Sequence, residues 1–322
     1  MVKRIYIMLF VLLVYSLFSF EVQAEETKSD IYQDRMALYK KTEALTQVPW
    51  YYIAAVDQYE RNAQKESDSD EEEVVSIKIK PNKWFGIGNS TKNMDEEIIT
   101  FFAGHGKDGN GDGKADPKDP EDALYTMANL LLKHGPTEDD IKIGLWNFYK
   151  RDLSVQTIVS TAKVFKKFQD INLTKRDFPV SMDYNYSYES TWGDRRGFGG
   201  VRIHEGTDIF AGYGTPVKST TYGVVELKGW NLYGGWRIGI RDINNIYHYY
   251  GHLSGYNDDI KVGQVVKPGD ELGRVGSTGY GPPGTSGKFP PHLHYGMYKD
   301  NGQNEYSFDP YPYLSKWENM AK

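Results

Sequence analysis

The stretch GVVELKGWNLYGGWRIGIRDINNIYHYYGHL, residues 223–253, contains three runs of residues that favour β-strands, separated by glycine and asparagine. Similar runs lie on either side of it, at 215–217 and 293–297. Strands at such short and regular spacing, with turn residues between them, are typical of an antiparallel all-β domain. From Val180 onward, the sequence therefore predicts an antiparallel β-sheet.

The first half of the chain has a different pattern. From about Asp30 to Leu173, apolar side chains recur at the three- and four-residue spacing of helices, most clearly between Leu145 and Phe168. The residues before Phe178 are mostly polar, which favours a linker. We therefore predict an α+β chain of several segments: a helical domain over 25–172, a linker over 173–180 and a β domain over 181–322.

Composition limits the possible functions. A chain of 322 residues has room for about two domains. Its 44 acidic and 38 basic residues give a net charge of −6, which argues against a nucleic-acid partner, because phosphates require a basic surface. There is no cysteine, which excludes disulfides, a thiol nucleophile and a cysteine-based metal site.

The N-terminus has the order of a secretory signal. Lys3 and Arg4 precede an apolar run over residues 5–20, and Val22 and Ala24 offer small residues for cleavage. We expect residues 1–24 to be removed, giving a secreted or cell-wall protein with no stable membrane partner. An uncleaved membrane anchor is the alternative, since the run approaches the ~20 residues that span a bilayer.

Histidines are concentrated in the β half, where five of the seven lie between His204 and His294. His204 and Asp208 are four residues apart, and His292 and His294 are two apart, so each pair would share a face of a strand. Two such strands facing one cavity would bring imidazoles and a carboxylate to one metal ion. Two histidines and one aspartate leave the fourth zinc position open for water, as in catalytic sites.

Six stretches of the β half, in this order, resemble the lysostaphin-type (LytM-like) zinc metallopeptidases, which cut the peptides of peptidoglycan. The resemblance extends from about Val180 to Leu314 and includes the motif that follows His204. The stretches are RIHEGTDI at 202–209, GTPV at 214–217, YGHLS at 250–254, VGQVVKPG at 262–269, LGRVGSTG at 272–279 and PHLHY at 291–295.

The resemblance implies that His204, Asp208 and His294 are the ligands of a Zn²⁺ ion, with His252 and His292 as catalytic histidines. It also implies a small antiparallel sheet whose long loops wall a narrow groove. Zinc lowers the pKa of bound water toward ~7 and polarises the scissile carbonyl. A neutral imidazole can accept the proton of that water, and a protonated one can serve the leaving amine. The roles of the two histidines stay open.

A further histidine and an unusual loop lie near these motifs. His248 lies four residues before His252 and competes with it, but the context Tyr-Gly-His-Leu favours His252, so we interpret His248 as structural. The loop over residues 280–290 is longer and richer in proline than the usual connection before the His-x-His pair. We expect it to border the groove and to influence specificity.

Part of the helical half also resembles a known family. Residues 48–60 resemble the catalytic helix of lysozyme-like lytic transglycosylases, whose acid would here be Glu60. The polar stretch from Arg61 to Glu73 replaces the compact turn of those enzymes. Water around Glu60 would keep its pKa low, whereas a general acid needs a dry pocket. We therefore expect a degenerate, glycan-binding domain, with an active transglycosylase as the alternative.

The loop from Asp108 to Asp119 has the spacing of an EF-hand. Oxygen donors occupy positions 1, 3, 5 and 9, glycine occupies position 6 and an acid occupies position 12. The loop predicts either a calcium (Ca²⁺) site or a glycine-rich acidic loop without a ligand.

Together these patterns predict an exported zinc endopeptidase that cuts stem or bridge peptides of peptidoglycan. A lysozyme-like domain before the peptidase resembles the order found in sporulation enzymes that cut the L-Ala–D-Glu bond of bacilli. Two alternatives remain: a bifunctional hydrolase with an active Glu60, and an inactive wall-binding or regulatory scaffold. The complete set of zinc ligands argues against the scaffold, because inactive members lose ligands.

Overall fold

The computed structural model describes residues 31–64, 73–197 and 201–322. The predicted signal segment, residues 1–24, and most of the acidic run that follows Glu60 lie outside these residues. Within the described ranges, no helix is both long and apolar enough to cross a membrane.

The first half is helical, as the apolar spacing predicts. Polar side chains mark where individual helices begin: Asp119 caps one by accepting from two backbone N–H groups, and Thr137 caps the next in a reciprocal arrangement with Asp140. The helices are α1 over residues 31–46, α2 Trp50–Gln64, α3 Pro81–Trp84, α4 Glu96–Phe101, α5 Pro120–Leu132, α6 Glu138–Tyr149 and α7 Asp152–Phe168.

The core of this half lies between α2, α5 and α7. Ile53 of α2, Leu124 of α5 and Phe165 of α7 are each fully buried and belong to one apolar cluster. Burial of these apolar side chains against one another holds the three helices together.

The second half is an antiparallel sheet, which confirms the predicted class. The main path runs β1-β4-β11-β8-β7-β6-β9, and a short hairpin of β2 and β3 stands apart from it. A C-terminal helix, α8 Tyr311–Ala321, buries Leu314 and Trp317 against the sheet. The strands are β1 Tyr186–Tyr188, β2 Arg195–Arg196, β3 Arg202–Ile203, β4 Thr207–Ala211, β5 Pro216–Lys218, β6 Gly223–Asn231, β7 Gly235–Asp242, β8 Ile246–Tyr256, β9 Val265–Val266, β10 Glu271–Val275, β11 His292–Asp300 and β12 Glu305–Phe308.

The helical half packs directly on one edge of the sheet. Val224 and Ile243 of the sheet region are buried in the same apolar cluster as the helices. The side chain of Asn62 on α2 donates to the carbonyl of Ile243 at 2.8 Å, and Arg151 forms an ion pair with buried Asp300 at 2.8 Å. The two halves therefore share an apolar and polar interface.

The segment over 173–180, expected to be a linker, has buried side chains at both ends. Leu173 packs in the helical cluster, whereas Phe178 and Val180 are fully buried in the core of the sheet. The connection is therefore held by packing on both sides, although its composition is largely polar.

Candidate metal centre

Strand β11 brings together residues that are far apart in the sequence. It pairs with β4 in a register that places His294 opposite Asp208, and on its other side it pairs with β8, where His294 lies opposite Gly251. Residues directly opposite one another in an antiparallel pair have neighbouring side chains. The register of β11 therefore places His294 next to Asp208 and next to the bend that contains His252.

The expected strand spanning His204 and Asp208 is wrong. Strand β3 ends at Ile203 and β4 begins at Thr207, so a turn containing Gly206 separates the two side chains. This turn passes close to His294: a Cβ atom at Gly206 would lie 2.6 Å from Cε1 of that ring. The turn, and not the period of a strand, brings His204 back to Asp208.

The three side chains converge through one atom each. Nε2 of His204 lies 3.0 Å from Oδ1 of Asp208 and 2.9 Å from Nδ1 of His294, and Nδ1 of His294 lies 3.0 Å from the same oxygen. Within residues 31–64, 73–197 and 201–322, this is the only group of three or more His, Asp or Glu side chains arranged to hold a metal ion.

Neighbouring groups orient the donor atoms. The ring of His204 donates from Nδ1 to the carbonyl of Thr191 at 2.8 Å, because a carbonyl can only accept, and this leaves the lone pair of Nε2 for a metal. The Arg196 guanidinium donates to Oδ2 of Asp208 at 2.8 Å and also lies 2.9 Å from Nδ1 of His204. Oδ1 of Asp208 is thereby left facing the centre.

The carboxyl of Asp208 is held ionised. Burial by itself would raise its pKa, but the adjacent imidazoles of His204, His294 and His292 hold the pKa well below its usual value. An ionised carboxylate and neutral imidazoles are the forms in which these side chains bind metals.

His252 is turned into the groove by a β-bulge. Strands β7 and β8 pair Ile238 with Tyr250 but Trp236 with Leu253, so β8 has one extra residue in this interval. His252 lies in the bulge with φ of +61°, a conformation that is rare for residues other than glycine. Residues held in such conformations are concentrated at functional sites.

His252 and His292 present the same ring nitrogen to the groove. Nδ1 of His252 donates to the carbonyl of Thr278 at 2.7 Å, and Nδ1 of His292 donates to the carbonyl of Pro290 at 2.8 Å. In the neutral form of each ring, Nε2 therefore carries the lone pair, and Nε2 of His292 lies 3.7 Å from Oδ1 of Asp208. Burial, reinforced by His292 and His294, lowers the pKa of His252 to about 3, so its ring is neutral at neutral pH.

His248, in contrast, belongs to a buried network outside the groove. It is 1% exposed, and its ring nitrogens contact the hydroxyl of Tyr295 at 2.6 Å and Oδ2 of Asp242 at 3.2 Å. Burial lowers the pKa of His248, and hydrogen bonds hold the pKa of Asp242 well below its usual value despite its own burial. These contacts give His248 a structural position.

The metal centre lies in a cavity of about 740 Å³. The loop over residues 280–290 contributes Tyr280, Lys288 and Phe289 to its lining. The ring of Tyr280 stacks on that of His252, with centroids 6.2 Å apart. Arg196 and Arg202 also line the cavity; the sequence analysis did not assign either a role, and their relative placement depends on the pairing of β2 with β3.

Glu60 lies outside this cavity, on the last turns of α2. Its Oε1 accepts from the hydroxyl of Tyr149 at 2.7 Å, and its Oε2 lies 3.5 Å from the side-chain amide of Gln64. Burial raises the pKa of Glu60, although the two hydrogen bonds act against this effect. The expectation of a low pKa is therefore wrong: Glu60 is half-buried, and its carboxylate accepts a hydrogen bond from Tyr149.

The carboxylates of the expected calcium loop contact the loop itself. Asp108 accepts from the backbone N–H groups of Gly111 at 2.6 Å and Gly113 at 2.7 Å. Asp119 caps helix α5 with one oxygen and accepts from Asn110 at 3.1 Å with the other. These contacts give no support for a calcium ion, and the site stays a prediction.

Comparisons with known proteins identify the family of this chain. Residues 202–310, which contain the three converging side chains, His252 and His292, match Peptidase family M23. The L-Ala–D-Glu endopeptidase of Bacillus subtilis is 57% identical over 307 residues, covering 94% of both chains. The chain therefore belongs to peptidase family M23, which confirms the resemblance recognised in the motifs.

More distant relatives match only part of this chain. Lysostaphin of Staphylococcus simulans is 39% identical over 114 residues, which are 35% of this chain and 21% of lysostaphin. The crystal structure of its catalytic domain is similar with a TM-score of 0.33 and 34% identity, covering 41% of this chain and 93% of that domain.

Proposed function

We propose that this chain is a zinc-dependent endopeptidase that hydrolyses the L-Ala–D-Glu bond of peptidoglycan stem peptides. The observation that carries the proposal is the convergence of His204, Asp208 and His294 within 3.0 Å of one another, in a groove that also contains two further histidines. The choice of bond is supported by the relative from B. subtilis, which is similar over nearly its whole length.

The converging atoms suit zinc. Two imidazole nitrogens and one carboxylate oxygen form a donor set that zinc takes in catalytic sites, where a fourth position is left for water. The Thr191 carbonyl and the Arg196 guanidinium orient His204 and Asp208, as partners of metal ligands do in such sites. When bound, the ion supplies a water of lowered pKa and polarises the scissile carbonyl.

The two remaining histidines, His252 and His292, act as general base and general acid. The contact of Nδ1 of His252 with the Thr278 carbonyl directs Nε2 into the groove, where this atom can accept the proton of the attacking water. His292 presents the same atom close to Asp208, and once protonated it can donate to the leaving amine. The carbonyls of Thr278 and Pro290 fix the two rings in the orientations that these transfers need.

Mass spectrometry of digested peptidoglycan tests the bond. We expect products in which L-Ala remains on the glycan and D-Glu carries a new free amine. The Asp208→Ala protein provides the control and should release no such peptide. Cleavage at a cross-bridge, with L-Ala–D-Glu bonds intact, would contradict the choice of bond and leave the peptidase assignment standing.

Action outside the cytosol is part of the same proposal. It is supported by the export signal that the sequence predicts over residues 1–24 and by a substrate that lies in the cell wall. The similarity of the B. subtilis L-Ala–D-Glu endopeptidase over 94% of this chain also supports action on the cell wall.

For the helical half, we propose glycan binding without glycan cleavage. Both carboxylate oxygens of Glu60 have partners within the protein, Tyr149 and Gln64. A general acid must instead direct its proton to the substrate. The raised pKa of Glu60 is the observation that favours the competing function, a transglycosylase.

The Glu60→Gln variant separates these two functions of the helical half. We expect digests by the parent protein to contain no 1,6-anhydro-muramic ends, and we expect the variant to cut stem peptides at the parental rate. Anhydro ends that appear with the parent protein and disappear with Glu60→Gln would instead establish a bifunctional hydrolase.

A further inference from the structure

We propose that Arg202 determines specificity by binding the free carboxylate of the D-Glu residue in the substrate. The inference rests on the proposed cleavage of the L-Ala–D-Glu bond. D-Glu has two carboxyl groups, one of which continues the peptide, while the other remains ionised. The guanidinium group of arginine matches a carboxylate with two parallel hydrogen bonds.

The groove is basic although the protein is acidic. The chain has a net charge of −6, whereas four basic side chains and two acidic ones line the cavity. One of the acidic side chains, Asp208, is paired with Arg196. A cavity lined mainly by charges of one sign attracts ligands of the opposite sign. The remaining lining charges are Arg195, Arg202, Glu205 and Lys288.

The β2–β3 hairpin places two arginines side by side. Arg196 lies directly opposite Arg202 in the antiparallel register. Like charges at opposite positions destabilise a pair of strands, so the arrangement needs a compensating charge. Arg196 forms an ion pair with Asp208 at 2.8 Å. Among the described residues, in contrast, no carboxylate lies within 4.0 Å of the Arg202 guanidinium.

Arg202 is positioned by the loop that the sequence marks as unusual. Its Nη2 donates to the hydroxyl of Tyr280, and its guanidinium carbon lies 5.9 Å from the centroid of that ring. The Tyr280 hydroxyl accepts from one of the five N–H donors of the guanidinium, so donors remain for a ligand. Tyr280 thus orients Arg202 without neutralising its charge.

The same ring connects Arg202 to the reacting groups. Tyr280 stacks on His252 with centroids 6.2 Å apart and planes 18° apart. Arg202 is therefore separated from a proposed catalytic histidine by one aromatic ring. In the substrate, the free carboxylate of D-Glu is likewise separated from the scissile amide by a few bonds. A peptide whose amide lies at the metal centre can therefore place this carboxylate beside Arg202.

Two matched peptides test the proposal. One is a stem peptide containing L-Ala–D-Glu, and the other is the same peptide with the free carboxyl of D-Glu converted to an amide. With the zinc-loaded full-length protein, we expect kcat/KM for the acid to exceed that for the amide by about 10- to 100-fold, the range of a hydrogen bond to a charged group. The difference should lie mainly in KM, because the carboxylate is bound equally before and during reaction.

Arg202→Gln should remove this preference by weakening hydrolysis of the acid alone, and Arg202→Lys should restore part of it. Arg274→Gln is the matched control, since Arg274 is an exposed arginine on β10 that pairs with Glu271 outside the groove. It should preserve the preference. Zinc content and circular dichroism of each variant show whether the fold and the metal centre are intact.

The outcomes distinguish a failure of the proposed role of Arg202 from a failure of the proposed bond specificity. If the parent protein cuts neither peptide, the proposed bond specificity fails. If it cuts both peptides equally well, or if Arg202→Gln slows both by the same factor, the bond assignment stands and the role of Arg202 is refuted. Loss of the preference in Arg202→Gln with the amide rate unchanged supports the role.

Discussion

Replacing His204 or Asp208 with alanine is expected to remove zinc from the protein and to reduce peptide hydrolysis to background. Each substitution deletes one of the three atoms that converge within 3.0 Å. Structural and catalytic zinc sites in proteins need three or four such ligands, so two are too few to retain the ion. Elemental analysis of the purified proteins should give one zinc per parent chain and none in either variant.

A histidine elsewhere in the chain provides the control for this result. His134 is exposed in the helical half and contacts Asn147 at 2.7 Å. His134→Ala should keep one zinc per chain and full activity. Stoichiometric zinc retained in His204→Ala would show that the metal is bound elsewhere and would refute the site.

Replacing His252 or His292 with alanine is expected to leave zinc in place and to lower kcat by about 10²- to 10⁴-fold, the contribution of general acid–base groups. Neither ring is among the three converging side chains, but each directs Nε2 into the groove. Metal content and steady-state kinetics on the same preparation measure both effects. At position 252, asparagine serves as a second variant, because it tolerates the positive φ of this bulge better than alanine does.

His248→Ala is the matched control for these variants. It should keep zinc and kcat per folded molecule. It should also lower the free energy of unfolding by about 3 kcal/mol, because it leaves buried Asp242 without one of its partners. Urea denaturation measures this loss. An essential His248 together with a dispensable His252 would show that the wrong histidine of β8 has been assigned to the groove.

Local patterns were sufficient to predict the two kinds of secondary structure and to nominate the residues of the candidate metal centre. Apolar residues at helical spacing around Ile158 and strand runs around Ile238 depend only on neighbours within a few positions, so helical and β halves follow directly from periodicity. The residues of the metal centre were likewise visible as residue types within recognisable motifs. Their donor chemistry belongs to the side chains themselves and does not depend on the path of the chain.

Local patterns were insufficient wherever distant segments meet. The spacing of His204 and Asp208 suggested one strand, whereas a turn at Gly206 and the register between β4 and β11 bring them together. The polar residues after Glu60 suggested a low pKa, but this carboxyl is half-buried with a raised pKa and accepts a hydrogen bond from Tyr149, 89 positions away.

The sequence by itself determined the family, the two kinds of secondary structure and the residues that bind metal in the proposed site. Only the tertiary structure decided how these residues are oriented. The bulge at His252, the Arg196 contact with Asp208 and the placement of Arg202 against Tyr280 all depend on strand pairing and loop packing. Side-chain chemistry is a local property, whereas orientation and charge balance arise from contacts between segments that are separated along the chain.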